Sequence, residues 1–216
     1  MYKTLLFDMD GTVLDTLGDL TAAVNYTLRH FNEPEHTEDE IRSFVGNGVR
    51  KLIARSVPDG FDNPSFEEQL SFYQAYYKEH DRELTKPYDG IVDLMKEAKE
   101  KGIKIGIVSN KQHPAVVDLS DHFFGDLVDV AVGNKPYGKM KPKPDPDIVF
   151  TAMESLSADP SSTVYIGDSD VDAKTAENAG VPCILVSWGF RPKDFLEKQN
   201  CVAVVDNTDE LIQKLW

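Results

Sequence analysis

Cysteine is scarce in this chain: 216 residues contain two, Cys183 and Cys201. Both sit in apolar runs, PCILV and CVAVV, so they form no disulfide framework and read as buried thiols in a reducing compartment. Long apolar runs are missing as well. None approaches the roughly 20 residues that cross a bilayer, and MYKTLLFDMDG turns polar too soon for a signal peptide. Positive charge is in deficit, with 23 Lys and Arg against 37 Asp and Glu, a formal net charge of −14. Such a surface repels phosphate backbones and anionic lipids, which argues against a nucleic-acid partner or a membrane partner. The expectation is a cytoplasmic protein. A small anionic substrate would be repelled too, unless positive charge is concentrated locally or a cation is recruited. The five histidines show no ligand spacing.

The length suffices for a full hydrophobic core without staples, as one large domain or a domain carrying an insertion. Short β-branched runs at 4–7, 103–108, 127–132, 163–167, 183–186 and 201–205 alternate with segments of helical spacing. One helix is predicted over 89–101, stopping at Gly102, another over 145–156 with Pro146 in its first turn, and a third over 171–179, stopping at Gly180. Alternation of this kind predicts an α/β fold with an open, mostly parallel, Rossmann-like sheet flanked by helices. Residues 16–85 break the rhythm. They read as helical throughout, with capping-box patterns at Thr37–Glu40 and Ser65–Glu68 and no convincing strand between residues 8 and 102. The expected organisation is therefore a core of residues 1–15 and 86–216 with a small α-helical domain, 16–85, inserted after the first strand.

The strand ends carry the chemistry. The first ends in Asp8-Met9-Asp10-Gly11-Thr12 and a later one in Gly167-Asp168-Ser169-Asp170-Val171-Asp172. Ligands bind at the carboxyl ends of strands in open α/β sheets. Helix capping explains one or two of the later aspartates, but not why the first strand ends the same way. Acidic tips that approach one another need a divalent cation, and Mg²⁺ takes oxygen ligands. A third strand ends in Ser109-Asn110-Lys111, and 139–146 pack three lysines and three prolines into a stiff loop that can hold an ammonium near the tips. A nucleophilic carboxylate, an acid/base carboxylate, metal ligands, a hydroxyl and a lysine are what phosphoryl transfer through an aspartyl-phosphate requires.

The order and spacing of DMDGT, the Ser of VSNK, the Lys of KPKPDP and GDSDVD resemble the haloacid dehalogenase-like hydrolase superfamily over essentially the whole chain. The helical insertion resembles the small cap placed between that superfamily's first two motifs. Within it, Phe44-Val45-Gly46-Asn47-Gly48 resembles the VGxG loop of phosphoglycolate-phosphatase-like members. The resemblance implies that Asp8 attacks phosphorus while Asp10 protonates the leaving oxygen and later activates water. It implies Mg²⁺ held by Asp8, the Asp10 carbonyl and Asp168, with Asp172 in support. Thr12 and Ser109 would bond the phosphoryl oxygens, and Asn110 would border the site. Lys141, matched to KPxPDP in preference to Lys139 or Lys143, would neutralise Asp8. Gly46, Asn47, Gly48 and Arg50 would contact the substrate, a small phosphorylated metabolite for which 2-phosphoglycolate leads. The protein would act as a monomer or homodimer.

Rival readings differ at particular residues. A phosphorylatable receiver, a signalling module, carries its acceptor on a mid-chain strand, whereas here the candidate is at position 8. A phosphosugar mutase of the β-phosphoglucomutase kind shares the motifs but favours a bulky aliphatic where this chain has Thr12. A pyrophosphatase of the same superfamily would share them all. A dehalogenase lacks the acid/base carboxylate that Asp10 supplies.

Overall fold

The computed structural model describes residues 1–135 and 140–216. The first part of the chain forms β1 (Thr4–Phe7), β2 (Leu14–Asp15), α1 (Leu17–His30), α2 (Glu38–Phe44), α3 (Val49–Ser56), α4 (Phe66–His80) and β3 (Lys86–Pro87). Then come α5 (Ile91–Glu100), β4 (Lys104–Gln112), α6 (His113–Phe124), β5 (Val130–Asn134), α7 (Asp147–Leu156) and β6 (Thr163–Gly167). The chain closes with α8 (Asp170–Ala179), β7 (Cys183–Val186), α9 (Lys193–Leu196), β8 (Ala203–Val205) and α10 (Thr208–Leu215). It divides into two units, Met1–Leu14 with Pro87–Trp216 and Asp15–Lys86.

In the first unit six strands form one sheet in the order β5-β4-β1-β6-β7-β8, every pairing parallel. All four residues of β1 are buried, and their alternation feeds two apolar layers. Leu5 and Phe7 pack with Ile105, Ile107, Val164 and Ile166 under α5, α6 and α10. Leu6 faces the opposite way, with Val108, Tyr165 and Leu185 under α7 and α8. Each such side chain, fully buried, stabilises the fold by about 1.5–3 kcal/mol. Parallel pairing aligns the strand ends: Phe7 is in register with both Ile107 and Ile166. Asp8 therefore leaves β1 one step beyond the registered pairs, level with the neighbourhood of Ser109 on one side and Asp168 on the other. The winding reverses at β1, which makes its carboxyl end the switch point of the sheet.

The second unit consists of α1–α4. Its Thr37 capping box forms as expected: the Glu40 N–H donates to Thr37 Oγ1 at 3.3 Å, and the Thr37 N–H to Glu40 Oε2 at 2.7 Å. The Ser65 box does not form. Ser65 sits at φ −98°, ψ 9°, outside the extended cap conformation, and its N–H donates to Asn63 Oδ1 at 2.8 Å in a competing turn. Buried Asp19 near the start of α1 accepts from the Leu84 N–H, the Thr85 N–H and Thr85 Oγ1 at 2.7–2.9 Å, tying the end of the unit to its beginning. Against the expectation of no strand between residues 8 and 102, β2 and β3 pair as a separate two-stranded sheet. Two-residue strands carry no alternation for a sequence pattern to reveal.

Candidate active site

The carboxyl end of the sheet gathers Asp8, Asp168 and Asp172, each offering an oxygen within 4.8 Å of the others. Asp168 is fixed by its surroundings. Its Oδ2 accepts from the Phe190 N–H at 2.7 Å, and Gly11 and Gly189 close around it. A Cβ at either glycine would lie 2.4 Å from an Asp168 carboxylate oxygen, and Gly11 also has φ +86°. The carboxylate of Asp172 is held by protein donors. Oδ1 takes Lys143 Nζ at 2.8 Å and the Tyr165 hydroxyl at 2.9 Å, and Oδ2 takes Ser169 Oγ at 2.5 Å and the Asp168 N–H at 3.3 Å. It is placed to orient the cluster and the lysine while leaving Asp8 and Asp168 with oxygens for a ligand.

Lys143 stands between the acids, its Nζ 2.8 Å from both Asp8 Oδ1 and Asp172 Oδ1, with its side chain 2% exposed. The Lys143 N–H donates to Asn110 Oδ1 at 2.8 Å, and Asn110 Nδ2 donates back to the Lys143 carbonyl at 3.2 Å. Asn110, expected to border the site, clamps the lysine loop. The choice of Lys141 is thereby corrected. Lys141 is 73% exposed, and its ammonium lies 3.4 Å from Asp145. The run contains two overlapping matches to K-P-x-P-D, starting at Lys141 and at Lys143. Residues two apart on an extended segment face the same way, so periodicity does not separate the two registers. The Asn110 clamp does. The other candidate, Lys139, falls outside the described residues.

The remaining expected residues divide by unit. Ser109 is 2% exposed, and its Oγ accepts the Lys111 N–H at 3.2 Å. Thr12 is fully buried, its carbonyl accepts from Trp188 Nε1 at 3.1 Å, and its Oγ1 has no hydrogen-bond partner among the described residues. Asp10 pairs with Lys111 at 2.8 Å. In the helical unit Gly46 and Gly48 have φ +114° and +84°. Asn47 Oδ1 accepts from Arg55 at 2.7 Å, and Arg55 also bonds the Phe44 carbonyl at 2.6 Å, so Arg55 braces this loop. Arg50, expected to contact the substrate, makes a two-armed pair with Glu67 at 2.9 and 2.5 Å.

Electrostatics at the sheet end follow from burial. Burial pushes the Asp8 carboxyl up to about 7 against the pull of Lys143, with Asp172 and Asp10 adding to the rise. Burial, then Asp172 and Asp8, hold Asp168 well above the ordinary carboxylate range. Burial works against the Lys143 ammonium, but Asp172 and Asp8 outweigh it and keep the group above the usual lysine range. Acids this costly to ionise together fit a hard divalent cation, which Asp8 and Asp168 could hold. Three participants escaped the sequence reading as site residues. Lys111 follows the Ser-Asn tip directly. Tyr165 is a phenol in a fully buried strand, which needs a partner. Gly189 has no local signal, because its role is set by Asp168 across the fold.

Buried carboxylates and an ammonium gathered at the carboxyl end of a parallel sheet are an arrangement of α/β enzymes. The chain belongs to the haloacid dehalogenase-like hydrolases, whose family model matches residues 5–186. It is 31% identical over 194 residues to the phosphoglycolate phosphatase of Aquifex aeolicus, covering 87% of this chain and 86% of that one. It is 30% identical over 215 residues to the pyrophosphatase PpaX of Bacillus mycoides, covering 97% and 95%. A solved structure from Lactobacillus delbrueckii subsp. bulgaricus superposes with a TM-score of 0.93 at 33% identity, covering 99% of this chain and 98% of that one. Among the described residues no helix is long and apolar enough to cross a membrane.

Proposed function

We propose that this protein is a Mg²⁺-dependent cytoplasmic phosphatase that hydrolyses a small phosphate monoester through an aspartyl-phosphate, with 2-phosphoglycolate the leading substrate. The observation that carries the reading is the buried Lys143 ammonium 2.8 Å from both Asp8 and Asp172 within a three-carboxylate cluster. Asp8 is the nucleophile, and its carboxylate oxygen forms the bond to phosphorus as the bond to the leaving oxygen breaks. Asp10 gives its proton to that oxygen, then takes one from the water that cleaves the acyl phosphate. Ser109 and Thr12 donate to the phosphoryl oxygens, and Lys143 offsets their charge. Asp8, Asp168 and the Asp10 carbonyl would hold the Mg²⁺, which when bound supplies Lewis-acid charge to the phosphoryl group. The protein works as a monomer or homodimer.

The kinship with a pyrophosphatase favours pyrophosphate as the second substrate to examine. Phosphate release is to be measured across 2-phosphoglycolate, pyrophosphate, sugar phosphates and nucleotides. Release that stops in Asp8→Asn and in excess chelator is expected. Full turnover in either condition refutes the mechanism, and isomerisation of a sugar phosphate with little free phosphate points to a mutase.

A further inference from the structure

We propose that Lys111 is the residue that selects substrates carrying a second anionic group on the leaving side of the scissile bond. The inference rests on the phosphatase reading above, in which Asp10 touches the bridging oxygen. Lys111 Nζ lies 2.8 Å from Asp10 Oδ1, and the two side chains are 9% and 14% exposed, so the pair is partly shielded without being sealed. An ammonium has three donors and can hold Asp10 and a second anion together. The other site ammonium cannot take that role. Lys143 is 2% exposed and engaged by Asp8, Asp172 and the Tyr165 hydroxyl. A leaving group with its own negative charge would be repelled in a chain of net charge −14. Lys111 stands where that repulsion has to be offset.

The chemistry of two relatives' named substrates converges on the same point. Phosphoglycolate carries a carboxylate one carbon from the bridging oxygen, and pyrophosphate carries a phosphoryl group directly on it. Both are compact and anionic on either side of the bond that breaks. The shared requirement is a cation next to the acid/base carboxylate, and Lys111 meets it. The substrate class is thus a small phosphate ester or anhydride whose leaving group is itself an anion.

The test compares kcat/KM for 2-phosphoglycolate, pyrophosphate and ethyl phosphate, whose leaving group is of similar size and uncharged. Assays use saturating Mg²⁺ with the parent protein, Lys111→Met, Lys111→Gln and Lys111→Arg. The parent is expected to prefer at least one anionic substrate over ethyl phosphate. That ratio should fall about 10–100-fold in Lys111→Met and Lys111→Gln, the range of one charge-assisted hydrogen bond, and recover in part in Lys111→Arg. A fall confined to 2-phosphoglycolate assigns the carboxylate as the second anion; one confined to pyrophosphate assigns the phosphoryl group. A ratio unchanged in both neutral variants overturns the role of Lys111 and leaves the phosphatase reading intact. No phosphate release by the parent from any substrate overturns both.

Discussion

Replacing Lys143 with methionine keeps the length and apolar stem of the side chain and removes only the ammonium. In the folded protein that ammonium faces two carboxylate oxygens at 2.8 Å. At an effective dielectric constant near 20, each contact is worth about 6 kcal/mol of gross attraction. Much of this is cancelled by the cost of burying three charged groups. The variant retains that cost for Asp8 and Asp172 and loses the compensation. Breaking a buried pair in this way destabilises by about 3–5 kcal/mol, which lowers the melting temperature of a chain this size by roughly 10 °C. Activity should fall by about 10²–10³-fold, as when one preorganised electrostatic partner of a developing charge is removed. The control is Lys141→Met, 73% exposed, for which stability within about 0.5 kcal/mol of the parent is expected. Thermal unfolding and phosphate release, both with Mg²⁺ present, measure the two effects. If Lys143→Met matches the parent while Lys141→Met fails, the assignment of the lysine is refuted.

Two further outcomes follow from the same cluster. Without divalent cation, the folded protein keeps the Asp8 proton up to about 7, whereas the ordinary carboxyl loses it near 3.8. The unfolded state then binds fewer protons, so stability should fall as pH rises between these values, by about 2 kcal/mol from pH 5 to 7. Urea unfolding in chelator should show this slope, and Asp8→Asn should make it shallower, leaving the part that Asp168 contributes in the same direction; rising stability over the same window in the parent contradicts the argument. Separately, Gly189→Ala puts a methyl group 2.4 Å from the Asp168 carboxylate. The expected overpacking cost is about 1–3 kcal/mol, with a weakened response of melting temperature to added Mg²⁺. An unaltered Mg²⁺ response would show that Asp168 has room to move.

Several elements were legible because a local pattern and a physical requirement coincide in them. The strands Thr4–Phe7, Thr163–Gly167 and Cys183–Val186 match the expected runs residue for residue, since strands buried on both faces are continuous apolar stretches. The Thr37 capping box was readable because its partners are three residues apart. The lysine was misassigned where two local matches overlap, and the Ser65 box was misread where a neighbouring Asn63 offered the backbone a rival bond.

By itself, the sequence determined which strand ends are acidic and that an anionic substrate needs recruited positive charge. These are properties of residue type and near-neighbour spacing. Tertiary structure decided which lysine meets Asp8, that Asn110 holds that lysine in place, that Lys111 stands beside Asp10, and that Gly11 and Gly189 leave room for Asp168. Each of these joins residues far apart in the chain. They meet because parallel pairing brings the ends of β4, β1 and β6 to one edge. No local pattern records a distance set by that pairing.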